Sequence, residues 1–208
     1  MSKNYLKDWQ AARGLVADGI IGRLTLKAFA DEYHLEHIQA AHILAQCQVE
    51  SLNFTTGVEN LNYTATQLGR VFKKYFKPDE VLRFAHLPVR IANRVYGGRM
   101  GNDAPGDGWR YRGHGPIQLT GKNNYRAYFK WCGLPLDSDP DVILEPKHYF
   151  RSAVWFFTAN DLLSACGEDT SDCVRISRAV NVGSLTTRTK ANGEAERTAA
   201  FRALKRLL

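Results

Sequence analysis

From Ile38 to Leu52, apolar residues fall at positions 40, 41, 43, 44, 45, 47 and 49, a spacing that predicts an α-helix rather than a strand. Helical periodicity also covers Thr25 to Tyr33, after the Asp18-Gly19 turn, and returns at 122–132, at about 146–160, at about 171–180 and at about 193–208. Helix punctuation fits this reading. Thr64 or Thr66 suits the N-cap of a helix running to Phe76, Pro78-Asp79-Glu80 opens another, and Pro88 sits at the first turn of a third that Gly97 and Gly98 end. Residues 97–121, GGRMGNDAPGDGWRYRGHGPIQLTG, interrupt the helices with glycine-rich irregular backbone, holding at most a short β-hairpin around Tyr111 to Leu119. A loop of this length inside a compact domain is usually functional. The prediction is a mainly α chain forming a single domain over residues 1–208, with residues 1–35 as a helical segment packed on it.

Composition adds class boundaries. Hydrophobic residues at 44% and charged residues at 24% suit a globular core and exclude a disordered chain or a disulfide scaffold. The N-terminal MSKNYLKDWQ has no apolar signal region, and no stretch approaches the roughly 18 uninterrupted apolar residues of a membrane span, so the expectation is a cytoplasmic product. The net charge of +7 favours a polyanionic partner: nucleic acid, an anionic membrane or an acidic wall polymer. With no RNP motif, zinc-finger spacing or helix-turn-helix signal, nucleic acid is not the expected partner. Cys47, Cys132, Cys166 and Cys173 read as buried thiols, although Cys166 and Cys173 are spaced so that an oxidising compartment could pair them. His34, His37 and His42 form no ligand set, Asp103 and Asp107 read as turn-formers, and no phosphate-cradling loop is present, so neither metal nor cofactor is expected.

Between Glu36 and Arg70 the chain has no Asp, Lys or Arg and only two glutamates, Glu50 and Glu59. On the predicted helix Glu50 shares a face with Ile43 and Cys47, where burial disfavours the charged form and favours a held proton. Glu59 follows the turn-like Thr55-Thr56-Gly57 and is flanked by Asn60, Asn62 and Tyr63, surroundings that keep a carboxylate ionised. Two carboxyls in such contrasting environments form the acid and base of a glycosidase, and the spacing fits retaining or inverting geometry equally. The same residues also suit a structural reading, in which Glu50 is buried and paired with an Arg, such as Arg99 or Arg112, and Glu59 sits in a surface turn. Tyr63, Tyr96, Trp109 and Tyr111 offer flat faces and hydroxyls for sugar rings, or equally for a core; Trp155, Phe156 and Phe157 read as core.

The segments HILAQCQVES, VENLNYTATQLGRVFKKYF and YGGRMGNDAPGDGWRYRGHGPIQLTGKNNY resemble, in that order, successive motifs of glycoside hydrolase family 19, which includes chitinases and phage endolysins. The resemblance covers about residues 38–129, and AVNVGS and NGEAERTAAF extend it toward the C-terminus. It implies a lysozyme-like, two-lobed helical fold whose groove takes a β-1,4-linked amino-sugar polymer and cleaves it with inversion. By resemblance, Glu50 is the general acid, Glu59 the general base and Thr120 the hydroxyl that helps hold the attacking water. Gln118 and Asn124 match groove positions, Asn181 an Asn near the cleavage subsite, and Arg197 an Arg that supports the acidic site. Tyr63, Tyr96, Asn102, Trp109 and Tyr111 complete the candidate substrate contacts. Three positions depart from the family pattern: Val49 where His is frequent, His114 where Arg is usual, and Val182 where Gly is common.

The short spacing between the glutamates and the ENLNY continuation resemble the bacterial and phage branch. The resemblance therefore implies an endolysin acting on peptidoglycan for host lysis, as a monomer. It would wait in the host cytoplasm until a holin-type partner opens the membrane. A chitinase and a non-catalytic wall-binding protein are the alternatives. WQAARGLVADGIIGRLTLKAF resembles a fragment of peptidoglycan-binding modules, too short to bury a core alone, and the amphipathic EAERTAAFRALKRLL is expected to pack its apolar face on the domain.

Overall fold

The structure, a computed structural model, describes residues 3–208; Met1 and Ser2, part of the predicted 1–35 segment, lie outside the described residues. Eleven α-helices form among these residues. They are α1 (Tyr5–Ala11), α2 (Arg23–Tyr33), α3 (His37–Glu50), α4 (Ala65–Val71), α5 (Val81–Phe84) and α6 (Pro88–Tyr96). After them come α7 (Asp107–Arg110), α8 (Lys122–Cys132), α9 (Tyr149–Ala159), α10 (Thr170–Val182) and α11 (Glu194–Lys205).

Local chemistry sets most of these ends. Thr64 caps α4 through a capping box with Gln67, Pro88 occupies the first turn of α6, and left-handed Gly133 (φ 76°) closes α8. One expectation is corrected. The helix opened by Thr64 stops at Val71, well before Phe76, which joins Leu68, Ile91 and Val95 in one buried cluster. The β structure expected around Tyr111 to Leu119, at most a short hairpin, amounts to isolated bridges, Val58 with His114 and His114 with Leu119, alongside the one-turn α7. Left-handed backbone at Gly115 (φ 77°), Gln118 (φ 54°) and Gly121 (φ 91°) breaks the extended run that a ladder requires.

The chain divides into two compact units. One comprises the chain up to Gly57, Gly115–Ile117 and Ile143–Leu208. Its axis is α3, buried on all sides from Ala40 to Cys47 and packed by α2, α9, α10 and α11. Leu6 and Trp9 of α1 and Phe29 of α2 enter the same core, where Trp9 and Phe29 each meet Phe150 edge-on. Gln10 holds the intervening turn: its Nε2 donates to Asp18 Oδ1, Ile20 O and Thr25 Oγ1, and its Oε1 accepts from Gly19 N. The apolar face of α11, Phe201 and Leu204, is buried in this core. The second unit comprises Val58–His114 and Gln118–Val142, with a smaller core of Leu61, Leu68, Phe76, Ile91, Ala92 and Val95.

All four cysteines are free thiols. Burial pushes Cys166 up to about 12 and Cys173 to about 11, so both remain protonated and unreactive near neutral pH. His42, in α3, stacks on Phe201 at 4.0 Å and donates from Nε2 to Gly167 O at 2.8 Å, while Nδ1 is buried without a partner. Burial lowers its pKa, against a weaker pull from the Asp172 carboxylate. Folding therefore favours the neutral ring. The stability it contributes is fully present above the ordinary histidine value of about 6.5 and is lost as pH falls toward the lower folded value. The melting temperature is expected to fall on acidification from neutral pH to below 6, and to fall less in a His42→Gln variant measured by circular dichroism. An identical pH slope in the two proteins would refute this assignment.

Candidate active site

Glu50 is the last residue of α3. The helix stops there because Ser51 turns its hydroxyl back to Cys47 O at 2.6 Å and accepts from Phe54 N at 3.0 Å. Leu52, Asn53 and Phe54 then follow in the left-handed region, with φ of 50°, 55° and 62°. Three consecutive non-glycine residues in that region are costly, at about 1–2 kcal/mol each. The burial of Phe54 in the core of this unit and the Ser51 anchor hold them in place.

The Glu50 carboxylate meets Arg197, whose Nη2 donates to Oε1 at 2.5 Å, while Oε2 has no partner among the described residues. Arg197, on α11, is buried, and each of its three nitrogens is committed: Nε to Asn192 O at 2.9 Å, Nη1 to Gln46 Oε1 at 2.8 Å, and Nη2 to Glu50. Gln46 lies one helical turn before Glu50 and passes the network on through Nε2 to Ser177 Oγ at 3.1 Å. Asn181 joins from α10, its Oδ1 accepting from Asn192 N at 2.9 Å, so it braces the residue whose carbonyl holds Arg197. Periodicity correctly places Glu50 beside buried Ile43 and Cys47, but treats desolvation as its main influence. The structure adds a full positive charge at hydrogen-bonding distance, and of the arginines the sequence offered it is Arg197, the one matched by resemblance, that meets Glu50. Sequence reasoning missed Gln46, Ser177 and Asn192. The signal for Gln46 was a polar residue inside the apolar run of α3, one turn from Glu50.

Glu59 is anchored within the second unit. Its N–H donates to Gly113 O at 2.8 Å, and its carboxylate accepts from Tyr96 Oη at 2.7 Å on Oε1 and from Gly113 N at 3.2 Å on Oε2. A Cβ on Gly113 would lie 2.7 Å from Gln118 Oε1 and 3.3 Å from Glu59 Cβ, so any larger residue there would push the Gln118 amide aside and press on Glu59. Burial raises the Tyr96 pKa well above its ordinary value and the Glu59 charge adds to it, which keeps Tyr96 a donor. Tyr63 is raised for the same two reasons, burial first. Thr120 donates its hydroxyl to Gln118 O at 2.8 Å, and Asn124 Nδ2 donates to Thr120 O at 2.8 Å, which gathers these three predicted residues into one cluster.

The other predicted contacts divide. Trp109 is half-buried and carries the Arg112 guanidinium 3.7 Å over its ring. Two sugar-binding expectations are corrected. Tyr111 is 3% exposed and packs on Tyr125, so its face is used by the core. Asn102 is 1% exposed and spends its side chain on backbone, donating to Tyr96 O at 3.0 Å and accepting from Lys122 N at 2.9 Å. At the departures from the family pattern, Val49 packs beside Gly193, where an added Cβ would lie 3.0 Å from Val49 Cγ1, and His114 is buried, with Nε2 2.9 Å from Asp141 Oδ1 and the Tyr125 hydroxyl 2.6 Å from Nδ1. Among the described residues no group of three His, Cys, Asp or Glu side chains converges as a metal site, and no helix is long and apolar enough to cross a membrane.

No family model matches the chain. It is 38% identical over 171 residues, covering 80% of this chain and 78% of the relative, to a glycosyl hydrolase family 19 domain-containing protein of Haemophilus influenzae. Across 51 residues it is 47% identical to an endochitinase of Arabidopsis thaliana, covering 24% of this chain and 18% of that enzyme. A 48-residue stretch is 44% identical to chitinase 8 of Oryza sativa subsp. japonica, covering 23% of this chain and 18% of that one. Among solved structures, a bacterial family 19 chitinase aligns with a TM-score of 0.49 at 20% identity, over 98% of this chain and 84% of that one.

Proposed function

The chain belongs to glycoside hydrolase family 19 and is a glycoside hydrolase; from that premise we propose that it is an endolysin that cleaves β-1,4 bonds of bacterial peptidoglycan with inversion. The observation that carries the reading is the contrasting anchorage of its two glutamates. Glu50 has one oxygen fixed by a buried guanidinium and the other open, whereas Glu59 has both oxygens held by neutral donors.

In the proposed reaction Glu50 gives the proton on Oε2 to the glycosidic oxygen as the bond from that oxygen to the anomeric carbon breaks. Glu59 takes a proton from a water whose oxygen forms the new bond to the anomeric carbon from the opposite face. The Thr120 hydroxyl helps hold that water. Solvent returns a proton to Glu50 and removes one from Glu59, so charge and atoms balance over the cycle. Tyr96→Phe, which removes one of the two donors on Glu59, is expected to lower turnover about tenfold with little change in KM, the size of one hydrogen bond to a charged group. Steady-state rates on a soluble oligosaccharide test this, and an unchanged kcat would count against the role of Glu59.

Peptidoglycan is favoured as substrate because the net charge of +7 suits a wall whose polymers carry carboxylates and phosphates. Chitin is the second reading, favoured by the local identity to plant chitinases. Mass spectrometry of digested peptidoglycan separates them: the expected products are muropeptides with new reducing-end muramic acid. Rapid cleavage of chitin oligosaccharides with no soluble muropeptides would move the assignment to chitin. Freed peptides without new reducing ends would overturn it.

A further inference from the structure

Residues 61–100 hold eight Lys and Arg against two acidic residues, Asp79 and Glu80, and so carry six of the chain's seven net positive charges. All eight cations are exposed. Glu80 is neutralised within the cluster, 3.1 Å from Arg94. Ring contacts draw four of these cations together in two sets, which the bond from Arg94 Nε to Tyr75 O at 3.1 Å joins. Arg94 lies over both Phe76 and Phe84, Arg90 over Phe84, and Lys74 and Arg99 over Tyr75. Arg90 also reaches the carbonyl of Arg83.

Apolar surface opens into the same region. A groove of about 440 Å³ between α4 and α5 is lined by Gly69, Lys73, Phe76, Pro78, Val81 and Leu82, among others, so a cation and an exposed aliphatic share one concavity. Leu82 is 80% exposed, and Val71, Leu87 and Val89, on or next to α4 and α6, are exposed as well. Four large aliphatics left in water among eight cations are a cost for which the proposed hydrolysis offers no return.

We propose that the α4–α6 face of the second unit is a docking surface for an anionic lipid bilayer, with Leu82 and its aliphatic neighbours entering the acyl boundary while Lys73, Lys77, Arg83 and Arg90 meet headgroup phosphates. The charges alone would fit any polyanion. The aliphatics select lipid, because a phosphate polymer or a sulfated sugar gives Leu82 nothing to enter, whereas a bilayer interface rewards an apolar insertion ringed by cations. The face lies on residues outside the proposed catalytic set and does not depend on the substrate assigned above.

Flotation of the full chain with vesicles at about 0.15 M salt tests this, comparing about three parts phosphatidylethanolamine and one part phosphatidylglycerol with pure phosphatidylcholine. Binding is expected on the anionic vesicles and to be at least tenfold weaker on the neutral ones. Leu82→Ser is expected to weaken anionic-vesicle binding about fivefold, and the triple change Lys73→Gln, Lys77→Gln, Arg83→Gln at least tenfold, with turnover on a soluble oligosaccharide unchanged in both. Failure to float with anionic vesicles overturns the proposal. So does binding that Leu82→Ser leaves intact while a soluble polyglycerol phosphate competes it away, which would assign the face to an anionic polymer. A parent chain that floats with anionic vesicles, and whose Leu82→Ser variant does not, supports this proposal even if it shows no hydrolysis, which would count against the catalytic reading alone.

Discussion

Glu50→Gln is expected to lower turnover about a thousandfold, the middle of the range for a general acid, while KM stays within a few-fold. The substitution is chosen for what it keeps. A glutamine oxygen still accepts from Arg197 Nη2, so the end of α3 and the fold of Leu52–Phe54 behind it stay in place, and only the carboxyl that would donate the catalytic proton is removed. That proton matters in proportion to how poor the leaving group is. The deficit is therefore expected to shrink on an aryl glycoside whose phenolate leaves unaided, whereas a Glu59→Gln deficit should persist on both substrates because water still has to be activated. Rates on the two substrate types check the assignment of acid and base together. A Glu50→Gln protein within about tenfold of the parent would remove Glu50 from the chemistry.

Arg197→Met is expected to be the most destabilising change, costing about 3–5 kcal/mol. For a chain of this size that is a fall in melting temperature of about 10 °C. The side chain is 2% exposed and serves three acceptors at once, the Asn192 carbonyl, Gln46 and Glu50. Methionine fills much of the volume and satisfies none of them. Arg197→Lys keeps a charge but has no planar fork for three directions, and should recover only part of the loss. The Glu50 side chain retains 19% exposure, so water screens part of the pair and most of the penalty falls on Gln46 and the Asn192 carbonyl. In the double variant Glu50→Gln, Arg197→Met the losses should be less than additive, because the second change removes a carboxylate already without its partner. Thermal melts of the four proteins measure this, and strict additivity would mean that the contact contributes nothing.

Much of the helical framework is legible from neighbouring residues. Gly133 stops α8 after Cys132, Pro88 and Gly97 bracket α6, and the run from Ala40 to Cys47, apolar except for His42 and Gln46, marks α3 as the helix buried on every side. The two glutamates are legible too, because an uncharged run makes them conspicuous and helical spacing places Glu50 on a buried face. Less legible was how far an aromatic or amide in the glycine-rich segment would be buried. Tyr111, Asn102 and Trp109 look alike as sequence, yet Tyr111 packs on Tyr125, Asn102 bridges two backbone segments, and Trp109 keeps a half-exposed ring.

By itself the sequence determined most of the helices and several of their caps, since these depend on interactions reaching only three or four residues along the chain, and it singled out Glu50 and Glu59 as the candidate pair. Tertiary structure alone decided which groups surround those carboxyls. Arg197 meets Glu50 across 147 positions, and Tyr96 reaches Glu59 across 37. Such pairings follow from how α11 packs on α3 and how α6 ends beside residue 59. Packing of whole helix faces sets them, and no local spacing encodes it.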